Sequence, residues 1–162
     1  MGVVPTEYYL LDPPTSQLTQ YKVLEVDEFT THLQEDEAKK VAVELPNQIV
    51  QEITNYNQSH SDKPLFVRAI RETETVERVL VLKGIVISYE PGSSAKRYFI
   101  GLGSGKAYCT VQCQFFDKKT GRQVLKANFE GEISGGLFGG GAKGSSKGVI
   151  EAIINYFKRQ SY

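Results

Sequence analysis

A chain of 162 residues, 40% hydrophobic and 23% charged, fits one globular domain that buries about two-thirds of its unfolded surface without disulfides or metals. No apolar run reaches the roughly 20 residues of a membrane-spanning helix, and a formal net charge of zero gives no overall basicity for holding nucleic acid. The charge is nonetheless divided, with 7 Lys/Arg against 14 Asp/Glu in residues 1–80 and 12 against 5 in residues 81–162, a division that cancels in space if the halves interleave.

Residues 1–20, rich in Pro and Thr, read as an extended lead-in, and residues 21–162 as a single domain. The start reads as one from which a targeting segment has been removed. "YKVLEVDEF" (21–29) alternates as a strand does. Ala38, Val41, Ala42, Leu45, Ile49, Ile53 and Tyr56 then share one face of a helix over about 36–58. Pro46 inside it is expected to kink or split that helix, because its ring removes a backbone hydrogen bond. "LFVRAI" (65–70) reads as a strand and "RETETVER" (71–78) as a charged turn. "VLVLKGIVISYE" (79–90), apolar on both faces, reads as a central strand.

After the loop "PGSSAKRYFIGLGSG" (91–105) comes a strand over 106–117. It places Ala107, Cys109, Val111, Cys113 and Phe115 on one face. The two cysteines then stand ~13 Å apart along the strand, too far to bridge, and read as buried inert thiols. "KKTG" is a hairpin turn with Gly121 at positive φ. Leu125, Ala127, Phe129 and Ile133 alternate inward in the strand that follows. A final helix over about 146–159 buries Val149, Ile150, Ile153, Ile154 and Phe157, with Ser145 or Ser146 as its cap. The order β-α-β-β-β-β-α predicts an α+β fold: a single, mostly antiparallel sheet of about five strands with two helices on one face.

Chemistry-bearing motifs are thin. "IGLGSGKAY" (100–108) has Ile100 where a phosphate loop needs glycine and Ala107 where it needs a hydroxyl, and it leads into a strand rather than a helix. Gly139, Gly141 and Gly144 match a dinucleotide pattern, but the acidic ribose partner falls beyond the chain's last residue. His32 and His60 fall in loops flanking the first helix, and neither has a neighbouring nucleophile pattern. Asp27, Glu28, Glu35, Asp36 and Glu37 suit a helix start. No catalytic residue, cofactor or metal is therefore expected. Lys96, Arg97 and Lys106 interleave with Tyr98, Phe99 and Tyr108, without any recognisable single-strand nucleic-acid pattern, so nucleic acid is not expected either. "GGLFGGGAKGSSKG" (135–148) reads as a flexible lead into the last helix whose Leu137, Phe138, Lys143 and Lys147 can touch a partner. Gly101, Gly103 and Gly105 leave one strand face bare for close approach, and Arg97 is placed to fasten its loop by pairing with Asp117 or a carbonyl.

The run 82–125 resembles a bacterial family of lipoproteins known as domain of unknown function number forty-four ten. The residues that carry the resemblance are Gly84 and Ile85; Gly92 and Arg97; Gly101, Gly103, Gly105 and Ala107; and Asp117, Thr120 and Gly121, with the glycines of 135–144 completing it. "LTQYKVLEVDEF" and the first helix fit the family's front half. The resemblance implies placement in the bacterial cell envelope, facing the periplasm as an outer-membrane lipoprotein, with anchoring through an N-terminal lipidated cysteine that this chain lacks. "TEYYLLDP" (6–13) is also similar to the mature start of auxiliary lipoproteins of lipid-handling ABC-type transporters. Two expectations follow. The first is a non-enzymatic module that binds an envelope protein or assembles with itself through Arg97, Gly101, Gly103, Gly105, Leu137, Phe138, Lys143 and Lys147. The second is a lipid- or small-ligand-binding auxiliary lipoprotein of an ABC-type transporter.

Overall fold

The structure, a computed structural model, describes residues 7–90, 107–133 and 148–160. Among them six strands form one sheet: β1 (Glu7–Asp12), β2 (Val23–Thr31), β3 (Arg68–Ile70), β4 (Val79–Glu90), β5 (Ala107–Asp117) and β6 (Gln123–Ile133). Helix α1 (Asp36–Ser59) joins β2 to β3, and α2 (Val149–Gln160) follows β6. A single 3-10 turn, Leu18–Gln20, precedes β2. The spatial order is β1-β6-β5-β4-β2-β3.

This is the expected α+β architecture, with two differences in the sheet. A sixth strand comes from the lead-in: β1 lies antiparallel along β6, with Tyr8 opposite Phe129 and Leu10 opposite Ala127. The sheet is also mixed, because β2 runs parallel to both β3 and β4 while the other three pairings are antiparallel. Two neighbouring strands joined through a helix must run the same way, since the helix returns the chain to the end where it began. An antiparallel pair needs only a tight turn, which β5 and β6 have at Lys118–Gly121, with Gly121 at φ 76.

Helix α1 packs on β2, β3 and β4, helix α2 packs on β1, β5 and β6, and the two touch each other. Both therefore lie on one face. That face is built by strict alternation: Leu80 and Leu82 in β4, Cys109, Val111, Cys113 and Phe115 in β5, and Leu125, Ala127 and Phe129 in β6 are fully buried. Gly84 lies opposite Phe29 across the β2–β4 pair. A Cβ at Gly84 would lie 2.7 Å from the Phe29 ring, so the aromatic occupies the space a side chain would need. Strand β2 keeps Phe29 on this face despite following Leu24 and Val26 at odd spacing, because a register irregularity between Val26 and Phe29 inserts the extra step.

Two local expectations change. Pro46 does not split α1, which runs through it as one helix. The lost hydrogen bond is outweighed by burial of Ala42, Leu45, Pro46 and Ile49 on the same face. The strand expected over 65–70 shortens to Arg68–Ile70, because Phe66 sits at φ 62, outside any strand conformation. The last helix is described from Val149, and the expected caps Ser145 and Ser146 lie outside the described residues. The cysteines are free and buried as expected, and burial pushes the Cys109 thiol up to about 12.

The turn between β5 and β6 also ties the crossover 71–78 to the sheet. Lys118 Nζ donates to Glu25 Oε1 at 2.6 Å and to the Thr73 carbonyl, and Lys119 pairs with Glu77 at 2.7 Å. Beside it, Asp117 accepts from the Tyr21 hydroxyl at 2.8 Å and from the Thr120 amide at 3.0 Å. Burial acts to raise the Asp117 carboxyl, but the bonds from Thr120, Tyr21 and Lys119 outweigh it and hold the group below its usual range. Burial, with the Asp117 bond and charge added, pushes Tyr21 up to about 12.

Because the folded carboxyl is more acidic than the unfolded one, its contribution is fully present above the unfolded value near 4 and fades as pH falls through the lower folded value. The phenol shifts the other way, so its contribution holds below about pH 10 and is lost as pH rises towards 12. Asp117→Asn is therefore expected to lower the urea midpoint at neutral pH, with the gap from wild type closing below about pH 4. A gap of constant size across acid pH would contradict this.

Candidate functional site

All eight residues singled out from the sequence, Arg97, Gly101, Gly103, Gly105, Leu137, Phe138, Lys143 and Lys147, lie outside the described residues. Asp117, one of the two partners expected for Arg97, accepts hydrogen bonds from Tyr21 and Thr120. His32 and His60 flank the two ends of α1, which a helix of 24 residues holds about 36 Å apart. They cannot meet in one site. No group of three His, Cys, Asp or Glu among the described residues is arranged to hold a metal.

What the described residues do form is a cavity of about 430 Å3 between the 3-10 turn, the C-terminal turns of both helices and the loop 60–67. The volume falls within the range of small-molecule sites. Its walls are largely apolar and aromatic, with Leu18, Tyr21, Tyr56, Leu65, Phe66 and Phe157 contributing. Lys22, Lys63 and Lys158 line it against one carboxylate, Asp62.

Each wall is positioned by a specific contact. At the end of α1, His60 stacks on Tyr56 with ring centroids 3.9 Å apart and planes within 7°. The His60 Nδ1 donates to the Tyr56 carbonyl at 2.9 Å, which places the proton on Nδ1 and leaves Nε2 as the acceptor in the neutral ring. The Lys158 ammonium lies over Tyr56, 5.6 Å from the ring centroid, within cation–π range. Phe66 meets Phe157 edge to face at 5.1 Å and 85°.

Phe66 is held at a φ that costs a bulky side chain of order 1–3 kcal/mol, and such strain persists only where the surroundings over-determine it. The surroundings here are explicit. Asn57 donates through Nδ2 to the Leu65 carbonyl at 3.0 Å and accepts the Leu65 amide at 2.7 Å. On the far side the Val67 amide donates to the Lys22 carbonyl at 2.6 Å. The loop is thus bonded on both sides of Phe66, and the cavity wall is pre-formed.

Sequence reading missed this site because its parts come from three separate segments, 18–22, 56–67 and 157–160. The nearest sequence signal was the aromatic-rich end of the first helix, Tyr56 and His60 at i and i+4, which places both on one face.

Residues 12–136 match the family described as "Domain of unknown function (DUF4410)". The chain belongs to this family. Most of the DUF4410 match lies on β2 through β6, and the cavity is lined on one side by α2, which follows the matched region. No curated protein matches the sequence.

Among solved structures the DUF4410 chain is similar to the PelC dodecamer from Paraburkholderia phytofirmans, at 10% identity and a TM-score of 0.54, over 91% of this chain and 95% of that one. It is similar also to a dodecameric point variant of that protein, at 11% identity and a TM-score of 0.50 over 96% and 93%. A third likeness, to hypothetical protein CT253 from Chlamydia trachomatis, has 7% identity and a TM-score of 0.42 over 86% and 93%. At these identities the PelC likenesses show a shared fold.

Proposed function

We propose that this DUF4410 domain is a non-enzymatic assembly module of the bacterial envelope, facing the periplasm, that associates with copies of itself or with an envelope protein. The observation that carries the reading is the outer strand of the sheet. β1 pairs with β6 on one side, and its consecutive residues Tyr9, Leu10 and Leu11 are 49%, 44% and 45% exposed. An apolar edge strand is a template for pairing with another chain unless bulges, charges or prolines blunt it. Here the register irregularity and Pro13-Pro14 come only at its end. At the opposite edge, Val67 beside the short β3 is 66% exposed.

Two different edges joining head to tail give a heterologous contact, which closes into a ring when the rotation permits. The shared fold with a protein that forms a dodecamer supports this reading. The membrane anchor implied by the family, a lipidated N-terminal cysteine, belongs to the same proposal, as do Arg97, Leu137 and Phe138 as further contacts.

The test is oligomeric state. Native mass spectrometry and sedimentation are expected to give a closed oligomer for the wild type and a folded monomer for Leu10→Lys/Leu11→Lys. A monomeric wild type at every concentration sinks the reading, and so does an oligomer that the double variant leaves intact.

One observation, the pre-formed cavity, favours a second reading: a lipid- or small-ligand-binding auxiliary lipoprotein of an ABC-type transporter. Lipid retained through gentle purification and seen by native mass spectrometry supports it.

A further inference from the structure

We infer that the cavity between the ends of α1 and α2 binds a small anionic amphiphile, a carboxylate or phosphate head on an apolar body. The inference deepens the ligand-binding reading and is independent of assembly through β1.

Three observations converge. The first is shape: a recess of about 430 Å3 whose aromatic and aliphatic walls favour an apolar body, since removing apolar surface from water is the main non-directional driving force. The second is charge. Lys158 and Lys22 line the recess, and neither has a carboxylate partner among the described residues. Lys158 instead rests over the face of Tyr56, which holds the ammonium at the wall without neutralising it. An anionic head bound there gains charge-assisted hydrogen bonds while its tail lies against Leu65, Phe66 and Phe157. The third is strain. The φ of 62 at Phe66 is maintained by the Asn57 bonds to Leu65 and the Val67 bond to Lys22, so one wall is ordered before a ligand arrives and binding carries less ordering cost.

Decanoate serves as the probe, with decanol as its neutral counterpart, decyltrimethylammonium as its cationic one and inorganic phosphate as a head without a body. Titration calorimetry on the whole protein is expected to show decanoate binding about tenfold or more tightly than decanol, with no binding of the cation or of phosphate. Lys158→Met is expected to weaken decanoate about tenfold and leave decanol unchanged. Thr19→Trp, on the exposed rim, is expected to block both while the urea midpoint stays at the wild-type value.

Equal binding of all three decyl compounds overturns the anionic preference and leaves ligand binding standing. Binding of phosphate as tight as decanoate overturns the amphiphile. Failure of every decyl compound overturns both this inference and the ligand-binding reading. Decanoate binding unchanged in Thr19→Trp places the ligand elsewhere and overturns the assignment to this cavity.

Discussion

Gly148→Ala is expected to cost roughly 3–5 kcal/mol, a large share of a typical domain stability of 5–15 kcal/mol. Gly148 opens α2 at φ 100, a backbone conformation that side chains resist. It also lies against β6 so closely that a Cβ would fall 2.2 Å from the Glu132 amide nitrogen and 2.5 Å from its carbonyl oxygen. Gly131 is the other half of the contact, where a Cβ would meet the Gly148 carbonyl carbon at 2.2 Å and its Cα at 2.4 Å. Backbone cannot rotate aside as a side-chain tip can, so either substitution must lift the start of α2 from the sheet. The Ala152 amide bond to the Gly148 carbonyl, 2.8 Å, is the first turn at risk, followed by burial of Val149, Ile150 and Ile153.

Gly131→Ala carries the overlap without the φ cost and is expected to lose about 2–3 kcal/mol. Urea midpoints measure both, and hydrogen exchange should show the α2 amides losing protection before the sheet does. A Gly131→Ala protein with the wild-type midpoint would show that α2 does not dock through this pair.

Asn57→Ala is expected to cost about 2–3 kcal/mol, from two lost hydrogen bonds and a Leu65 amide left without a partner in a part-buried site. The loss should be local as well as global. With the clamp gone, Phe66 can relax out of positive φ, and the 60–67 wall of the cavity loosens. Denaturation midpoints give the size, and hydrogen exchange at Leu65 and Val67 is expected to accelerate more than exchange in β4 or β5. A midpoint within about 0.5 kcal/mol of wild type would remove Asn57 from this role.

Much of the fold is legible in single residues. Phe115, Phe129 and Leu125 fall on the buried face because strand side chains alternate with a period of two. Ile49 and Ile53 do so because helical neighbours recur every three to four residues. Gly121 marks the hairpin for the conformational reason given by its φ of 76. These features depend on neighbours in the chain, and a sequence displays them directly.

Features that depend on neighbours in space are visible only in the tertiary structure. Alternation says which side of β2 is buried but not that β3 and β4 flank it in parallel, since pairing partners are chosen by the path of α1. The six-residue stretch beginning "EYY" is placed as a strand by its pairing with β6, a partner remote in the chain, and that pairing leaves no trace in the neighbouring sequence. Pro46 survives inside α1 because its own burial with Ala42, Leu45 and Ile49 outweighs one missing hydrogen bond.

The cavity is the clearest case. Lys22, Asn57, Phe66 and Lys158 are unremarkable in sequence and separated by up to 136 positions. The sequence by itself determined β2, β4, β5, β6, both helices and their buried faces, because those follow from local periodicity. Only the tertiary structure decided the strand order, the exposed outer edge of β1 and the site between the helix ends, because each arises from contacts between segments with no local trace of one another.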